Sequence, residues 1–353
     1  MQENPVLEIA RNLPSAGCSP EAARRYTRWL ATHHYENFNV VSWLLPRRLH
    51  QHFYNVYSYC RWADDLGDEV PDPKTALKLL DAWDEELRRT YAGQPSHPVF
   101  IALAETVTAL DIPIEPFQDL LIAFRQDQKV HRYENWNGVL DYCRFSANPV
   151  GRLVLYLTGY RDAERQALSD ATCTALQLAN FWQDVDRDLE KNRIYIPLDL
   201  LTEKGLTVED LFSRNFDDRY EKVMQSLIAR TRTLFAAGAP LAGRVSASLR
   251  VDVELFSRGG LAVLDRIENI GYNTLHHRPE ISRVTQIGLL GRALLDRCFT
   301  WILPSAPPDN PESGPGSNQG GGTSGSASGP AAGGNGLPRN AANNRSSLAG
   351  RHA

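Results

Sequence analysis

The chain has no cysteine pair at metal or redox spacing. Its five Cys (Cys18, Cys60, Cys143, Cys173 and Cys298) are scattered, odd in number and free of any CxxC. That fits reduced thiols in a cytoplasmic protein better than a disulfide framework or a zinc site. Basic charge is not in excess. The formal net charge is −4 and the pI about 6.2, which argues against a nucleic-acid partner. No run of about 18 apolar residues is present. The nearest, "VTQIGLLGRALLDRCFTWIL" at 284–303, carries Arg292, Asp296 and Arg297. It reads as a core-packing terminal helix, with a peripheral membrane contact left open. The N-terminus, "MQENPVLEIARNLPSAG", has no basic stretch leading into an apolar run, so no signal peptide is expected. A GxGxxG after a strand, a P-loop and an HExxH are missing, and with them three common nucleotide and metal signatures. Strand-like alternation with hairpin turns is missing too.

What remains is helical. Apolar residues recur at helical spacing almost throughout. Pro46, Pro71–Pro73, Pro95–Pro98, Pro113–Pro116, Pro197 and Pro279 punctuate the segments. The reading is an all-α domain of ten or more helices. After about residue 304 the composition changes, and 11 of the chain's 25 Gly fall there with many Ser, Pro and Asn. Such a stretch has little apolar surface to offset the entropy of ordering, so it is expected to be disordered. The boundaries are 1–304 for the domain and 305–353 for the tail.

The stretch "DVDRDLEKNR" at 184–193 places three Asp at alternate positions. An EF-hand would need Gly at its sixth position and Glu at its twelfth. Leu189 and Tyr195 stand there instead. Read as helix, Leu178, Trp182, Val185 and Leu189 form one apolar line. Gln177, Asn180, Asp184 and Asp188 form a polar line beside it, and Asp186 falls on the solvent side. "FYNVYSYCRWADDLGDE" at 53–69 behaves likewise. Phe53, Val56, Tyr57 and Cys60 mark a buried face whose line continues to Asp64 and Asp68, with Arg61 one turn before Asp64. One DxxxD would read as a solvated face. Two inward pairs 120 residues apart (Asp64 and Asp184) point to a cavity lined by carboxylates. Carboxylates without clustered His or Cys favour a hard ion, and Mg²⁺ typically shares its shell with substrate phosphates. The inferred ligand is a magnesium-bridged phosphate ester or diphosphate.

With these residues in view, the chain resembles the squalene/phytoene synthase family of trans-isoprenoid synthases over nearly all of 20–300. "CRWADDLGDE" looks like the first aspartate-rich motif of that family. "QLANFWQDVDRDLEKNRIYIP" looks like the second. The resemblance implies an all-α isoprenoid synthase bundle with a deep central cavity. It implies Mg²⁺ held by Asp64, Asp68, Asp184 and Asp188 with Asn180 assisting, and Gln177, Arg61 and Arg193 near the diphosphate. Tyr142 would line the pocket, and Tyr195 and Tyr272 are further carry-overs. His34 and Phe38 match early substrate-side positions of the family. Without the resemblance, His33 and His34 read as surface or capping residues, and Tyr142 and Tyr272 as core aromatics. "SRNFDDRYEK" at 213–222, His276 and His277 read as surface.

"HHYENFNVVSWLLPRRLHQHFYNVYSYCRWADDLGDE" at 33–69 looks most like the hydroxysqualene synthases of bacterial hopanoid pathways. Two departures from the phytoene synthase pattern agree with that group: Asn148 in "ANPVG", and Gln183 where many members have Arg. The resemblance then implies presqualene diphosphate as substrate and water as final nucleophile. A sister enzyme condensing two farnesyl or geranylgeranyl diphosphates, and a non-catalytic isoprenoid-binding protein, are the competing classes. Pathway partner enzymes are a further expectation. Asn148 is a candidate holder of the water, or simply a helix breaker before Pro149.

Overall fold

The computed structural model describes residues 17–33 and 46–279. The expectations for His34, Phe38, the 284–303 helix and the tail lie outside those residues. The described chain runs through thirteen α-helices. They are α1 Pro20–His33, α2 Arg47–Asp68, α3 Pro73–Tyr91, α4 Pro98–Ala109, α5 Glu115–Asp127, α6 Trp136–Ser146 and α7 Asn148–Leu157. Then come α8 Ala163–Gln183, α9 Val185–Glu190, α10 Leu198–Glu203, α11 Val208–Phe212 and α12 Asp218–Gly238. A 3-10 turn at Ala239–Arg244 leads into α13 Ala247–Asn269. Among the described residues the only β pairing is an isolated bridge between Arg132 and Ile194.

The prolines mark beginnings more than breaks. Pro73, Pro98, Pro116 and Pro149 occupy the first turns of α3, α4, α5 and α7, where the missing N–H removes no helical bond. Side chains of Asp72, Asn135, Asp162, Asp217 and Ser246 cap α3, α6, α8, α12 and α13. The charged run at 213–222 is therefore part helix start. Its Tyr220 is fully buried and shares a 2.7 Å hydrogen bond with Thr274.

Two cores flank the inner faces of α2 and α8. One gathers α1–α5 around Tyr59, Trp62, Trp83 and Phe100. Here a buried polar knot holds α2: Asn55 accepts from Thr27 at 2.7 Å and donates to the Ala102 carbonyl at 2.8 Å and Thr106 at 2.9 Å. Such groups cannot go unpaired without cost, so the knot fixes the rotation of α2. The other core sets α8 against α12 and α13 around Leu178, Trp182, Leu227 and Leu264. Trp182 donates to Thr231 at 2.9 Å. Gly260 of α13 lies so near Phe235 and Leu176 that a Cβ could not be added without a shift.

Candidate active site

Rotation so fixed decides which line of each helix faces inward. On α2 the line Phe53, Tyr57, Cys60, Asp64 is half-buried, while Val56, Tyr59, Trp62 and Ala63 beside it are buried. On α8, Cys173, Gln177 and Asp184 are half-buried and Asn180 is exposed, beside buried Ala175, Leu178, Ala179 and Trp182. A line of this kind inside a bundle borders open space. The thiols agree: burial pushes Cys60 up to about 12 and Cys173 up to about 11, although solvent still reaches both residues. Atoms crowded by protein yet reachable by solvent are what a concave wall presents.

Both lines end on aspartates. Asp64 keeps 48% of its side-chain surface open. The surrounding walls nevertheless raise its carboxyl to about 6, first by desolvation and then by the charge of Asp68. Asp188 is raised to about 7 by burial and then by Asp184. Carboxylates that hold each other up in this way favour a cation between them. Arginines now occupy part of that role. Arg193, near the end of the second motif, reaches Asp68, Nη2 to Oδ1 at 3.1 Å, while its own N–H donates to the Asp188 carbonyl at 2.7 Å. The two motifs therefore meet across Arg193. Burial opposes its charge, but Asp68, Tyr195 and Asp127 outweigh burial and raise its pKa. Arg278 forks onto both oxygens of Asp184.

Below the carboxylates lies an aromatic wall. Tyr195 stacks on Phe181 with ring centroids 3.7 Å apart and a 2° interplanar angle. Tyr133 and Tyr142 flank it at 5.7 and 5.8 Å. The segment 193–198 is pinned to 131–134 by backbone bonds from Ile194 to His131 and from Leu198 to Tyr133. The buried Tyr142 hydroxyl donates to Asp127 at 3.0 Å.

Several expectations need correction. Asp184 is not inside a continuous helix. It caps α8 with φ −104° and ψ 19°, and α9 begins after it, although Asp188 still donates its N–H to the Asp184 carbonyl at 2.9 Å. The pair keeps its i, i+4 relation across the break. Arg61 does not chiefly serve Asp64, which lies 3.8 Å away. Its Nε donates to Asp65 at 3.2 Å, and Nη2 sits 2.7 Å from the other oxygen, off the hydrogen-bonding direction. Asp65 is 1% exposed, and burial outweighs Arg61 in lifting it to about 7. Asp186 is only partly solvated and pairs with Arg214 at 3.0 Å. Tyr272 follows α13 with φ 62° and packs on the α8–α12 core. The charges acting on it are Glu268, Glu221 and Arg232, not the aspartates. Asn148 is spoken for by a 2.8 Å bond from Thr174.

Sequence reasoning missed Asp127 and Arg278. Burial lifts Asp127 to about 7; Tyr142 and Arg193 lower it, while Asp68 and Asp64 raise it, which places it between the two motifs. A signal existed. The apolar line Phe117, Leu120, Phe124 on α5 runs on to Asp127 at helical spacing, as the α2 line runs on to Asp64. No local signal marks Arg278. It is brought to Asp184 by the fold, where Gln183 donates to the carbonyl of the next residue, Pro279.

The sequence profile of squalene/phytoene synthases matches residues 31–285. The chain belongs to the squalene/phytoene synthase family. It is 38% identical over 216 residues to a hydroxysqualene synthase of Rhodopseudomonas palustris, covering 61% of this chain and 73% of that one. It is 30% identical over 270 residues to a chloroplastic phytoene synthase of Narcissus pseudonarcissus, covering 74% of this chain and 64% of that one. Among solved structures it resembles the squalene synthase HpnC of Alicyclobacillus acidocaldarius, with a TM-score of 0.70 and 44% identity. That match covers 75% of this chain and 99% of the other. Members of this family process prenyl diphosphates. No helix among the described residues is long and apolar enough to cross a membrane.

Proposed function

We infer that this squalene/phytoene synthase relative is a hydroxysqualene synthase, ionising presqualene diphosphate with Mg²⁺ and capturing the rearranged cation with water. The observation that carries the reading is the meeting of two aspartate pairs across Arg193 at the head of half-open inner lines. The resemblance to hydroxysqualene synthases supports the choice within the family.

The donor set suits the ion. Asp64, Asp68, Asp184, Asp188 and Asn180 offer only hard oxygens. Among the described residues no three acidic, thiol or imidazole side chains converge on a closed metal site. Mg²⁺ ordinarily takes one or two carboxylates and completes its shell with water and phosphate oxygens. Bound there, the ion would neutralise charge developing on the departing diphosphate. Arg193 and Arg278 sit where they can bind phosphate oxygens once a cation replaces them at Asp68 and Asp184. The Phe181–Tyr195 stack and Tyr142 present ring faces that favour a nearby cation and exclude bulk water.

The test is product analysis in ¹⁸O-labelled water with presqualene diphosphate and Mg²⁺. Labelled hydroxysqualene is expected, with rate and product unchanged by NADPH. NADPH-dependent squalene, presqualene diphosphate made from farnesyl diphosphate, or phytoene made from geranylgeranyl diphosphate would each overturn the assignment.

A further inference from the structure

Arg193, the arginine that spans both motifs, sits on a turn that has its own clamp. α9 ends in a Schellman turn: the Arg193 N–H donates to the Asp188 carbonyl at 2.7 Å and the Asn192 N–H to the Leu189 carbonyl at 3.0 Å. Asn192 at the bend has φ 58°. That left-handed position is usually filled by Gly and sometimes by Asn. The bend sets the direction in which the chain leaves α9, and so aims Arg193 at Asp68.

Arg132 grips this bend from a distant part of the chain. Its Nη1 donates to the Asn192 backbone carbonyl, and its Nη2 to Asn192 Oδ1 at 2.6 Å. Nη1 also donates to the His131 carbonyl at 2.8 Å, and that carbonyl accepts from the Ile194 N–H at 2.9 Å. Asn192 and Ile194, the residues on either side of Arg193, are thus both tied to 131–132.

The clamp is itself braced. The Arg132 guanidinium carbon lies 5.5 Å from the centre of the Phe212 ring, within range of a cation–π contact. Arg214 donates to the Phe212 carbonyl at 2.9 Å and to Asp186 of α9 at 3.0 Å. The end of α11 is therefore fastened to α9, and Arg132 lies between the Asn192 amide and an aromatic face. Burial lowers the Arg132 pKa, and no carboxylate among the described residues opposes that shift. Its donors go to amide oxygens, so what it contributes is a planar fork rather than a charge pair.

We propose that Arg132 is a positioning residue that acts through Asn192 to hold Arg193 ready for a diphosphate. The proposal rests on the reading of the aspartate mouth as a diphosphate site. Among the described residues, Arg132 bonds no member of either aspartate pair; its donors reach Asn192 and His131. When a cation takes Asp68, as that reading requires, the Arg193 guanidinium turns to phosphate oxygens. A bend fixed beforehand leaves only the side-chain rotamers of Arg193 to be ordered on binding, so less entropy is lost. Without Arg132 the turn keeps its two helical bonds, but the Asn192 carbonyl and amide oxygen lose the guanidinium that orients them. Arg193 then samples more directions, and affinity for the diphosphate falls.

The experiment measures binding of inorganic pyrophosphate in the presence of Mg²⁺ by calorimetric titration of the full chain. Wild type, Arg132→Leu, Arg193→Ala and the double variant are compared. Arg132→Leu is expected to weaken binding by about tenfold, which is ~1.4 kcal/mol. Arg193→Ala is expected to weaken it at least as much, and adding Arg132→Leu to it is expected to weaken it no further. A direct pull of the Arg132 charge on the anion would instead give the same loss with or without Arg193. A purely structural role would lower stability and leave affinity unchanged. Either outcome overturns the proposal and leaves the functional reading standing. Should Arg132→Leu unfold, Arg132→Lys, which keeps the charge and loses the planar fork, takes its place with the same expectations. Failure of the wild type to bind pyrophosphate with Mg²⁺ overturns the functional reading, and this proposal with it.

Discussion

Asp252→Asn should make the protein more stable, by an amount that grows with pH. In the folded chain the carboxyl is buried with no hydrogen-bond partner among the described residues, and raised to about 8. In the unfolded chain it ionises near its ordinary value of ~3.9. Between those values the folded state holds a proton that the unfolded state has released, so stability falls as pH rises. The slope is ~1.4 kcal/mol per pH unit, and across roughly three units up to pH 7 the cost reaches about 4 kcal/mol. This is an upper bound, because waters admitted to the site would lower it. Asn is close in size and never ionises, so it escapes this cost. The other raised carboxylates, Asp64, Asp65, Asp127 and Asp188, titrate alike in both proteins and cancel in the difference, being far enough from Asp252 to act independently. Urea unfolding of wild type and variant at intervals between pH 4 and pH 8 measures that difference. The curves should coincide near pH 4 and diverge above it. Parallel curves would refute the claim that Asp252 is buried without a partner.

Asp64→Asn and Asp184→Asn should each abolish turnover of presqualene diphosphate while leaving the far-ultraviolet circular dichroism unchanged. Near-normal activity in either folded variant would sink the two-motif magnesium reading. Tyr142→Phe removes the only hydroxyl seen to donate to Asp127 among the described residues. It should cost about 1–3 kcal/mol of stability. The loss should be greater at pH 8, where Asp127 is ionised, than at pH 5.5, where it holds its proton. Urea melts at the two pH values check this, and an equal loss at both would show that the Tyr142–Asp127 bond does not favour the ionised carboxylate.

The helical class was legible because periodicity and first-turn prolines are local properties. The inward aspartates were legible for the same reason, since Asp64 prolongs the apolar line of its helix and Asp184 lies on the polar line directly beside an apolar one. Partners across the bundle were not. Asp65 follows Asp64 directly and looks equivalent in sequence, yet it points into the core and claims Arg61. Only the packing of α2 on α1 and α4, fixed by Asn55, decides between the two. Asp127 and Tyr142 are 15 residues apart on different helices, and Arg278 and Asp184 are 94 apart. Spacing rules reach across one helix, not between helices. Asp252 was passed over because a single Asp in an apolar helix carries no pattern, and its isolation is visible only once its neighbours are known.

By resemblance, Gln183 stands where many members of the family have Arg, which by itself would leave less positive charge next to Asp184. The fold changes that conclusion. Gln183 is buried, and its amide donates to the Pro279 carbonyl. That bond holds the chain just beyond α13 against the end of α8 and so presents Arg278 to Asp184. Positive charge next to Asp184 is therefore supplied by Arg278, from the segment beyond α13. The difference matters under the proposed function, in which the site would exchange counter-ions. A buried Arg on α8 would have to be desolvated permanently, whereas Arg278 lies at the surface and can leave Asp184 when a divalent ion arrives, at little desolvation cost. Arg193 is more confined, with 19% of its side chain exposed, and it spans both motifs. One arginine thus holds the two aspartate pairs together, while under the proposed magnesium reading the other would yield its carboxylate to the ion and turn to the diphosphate.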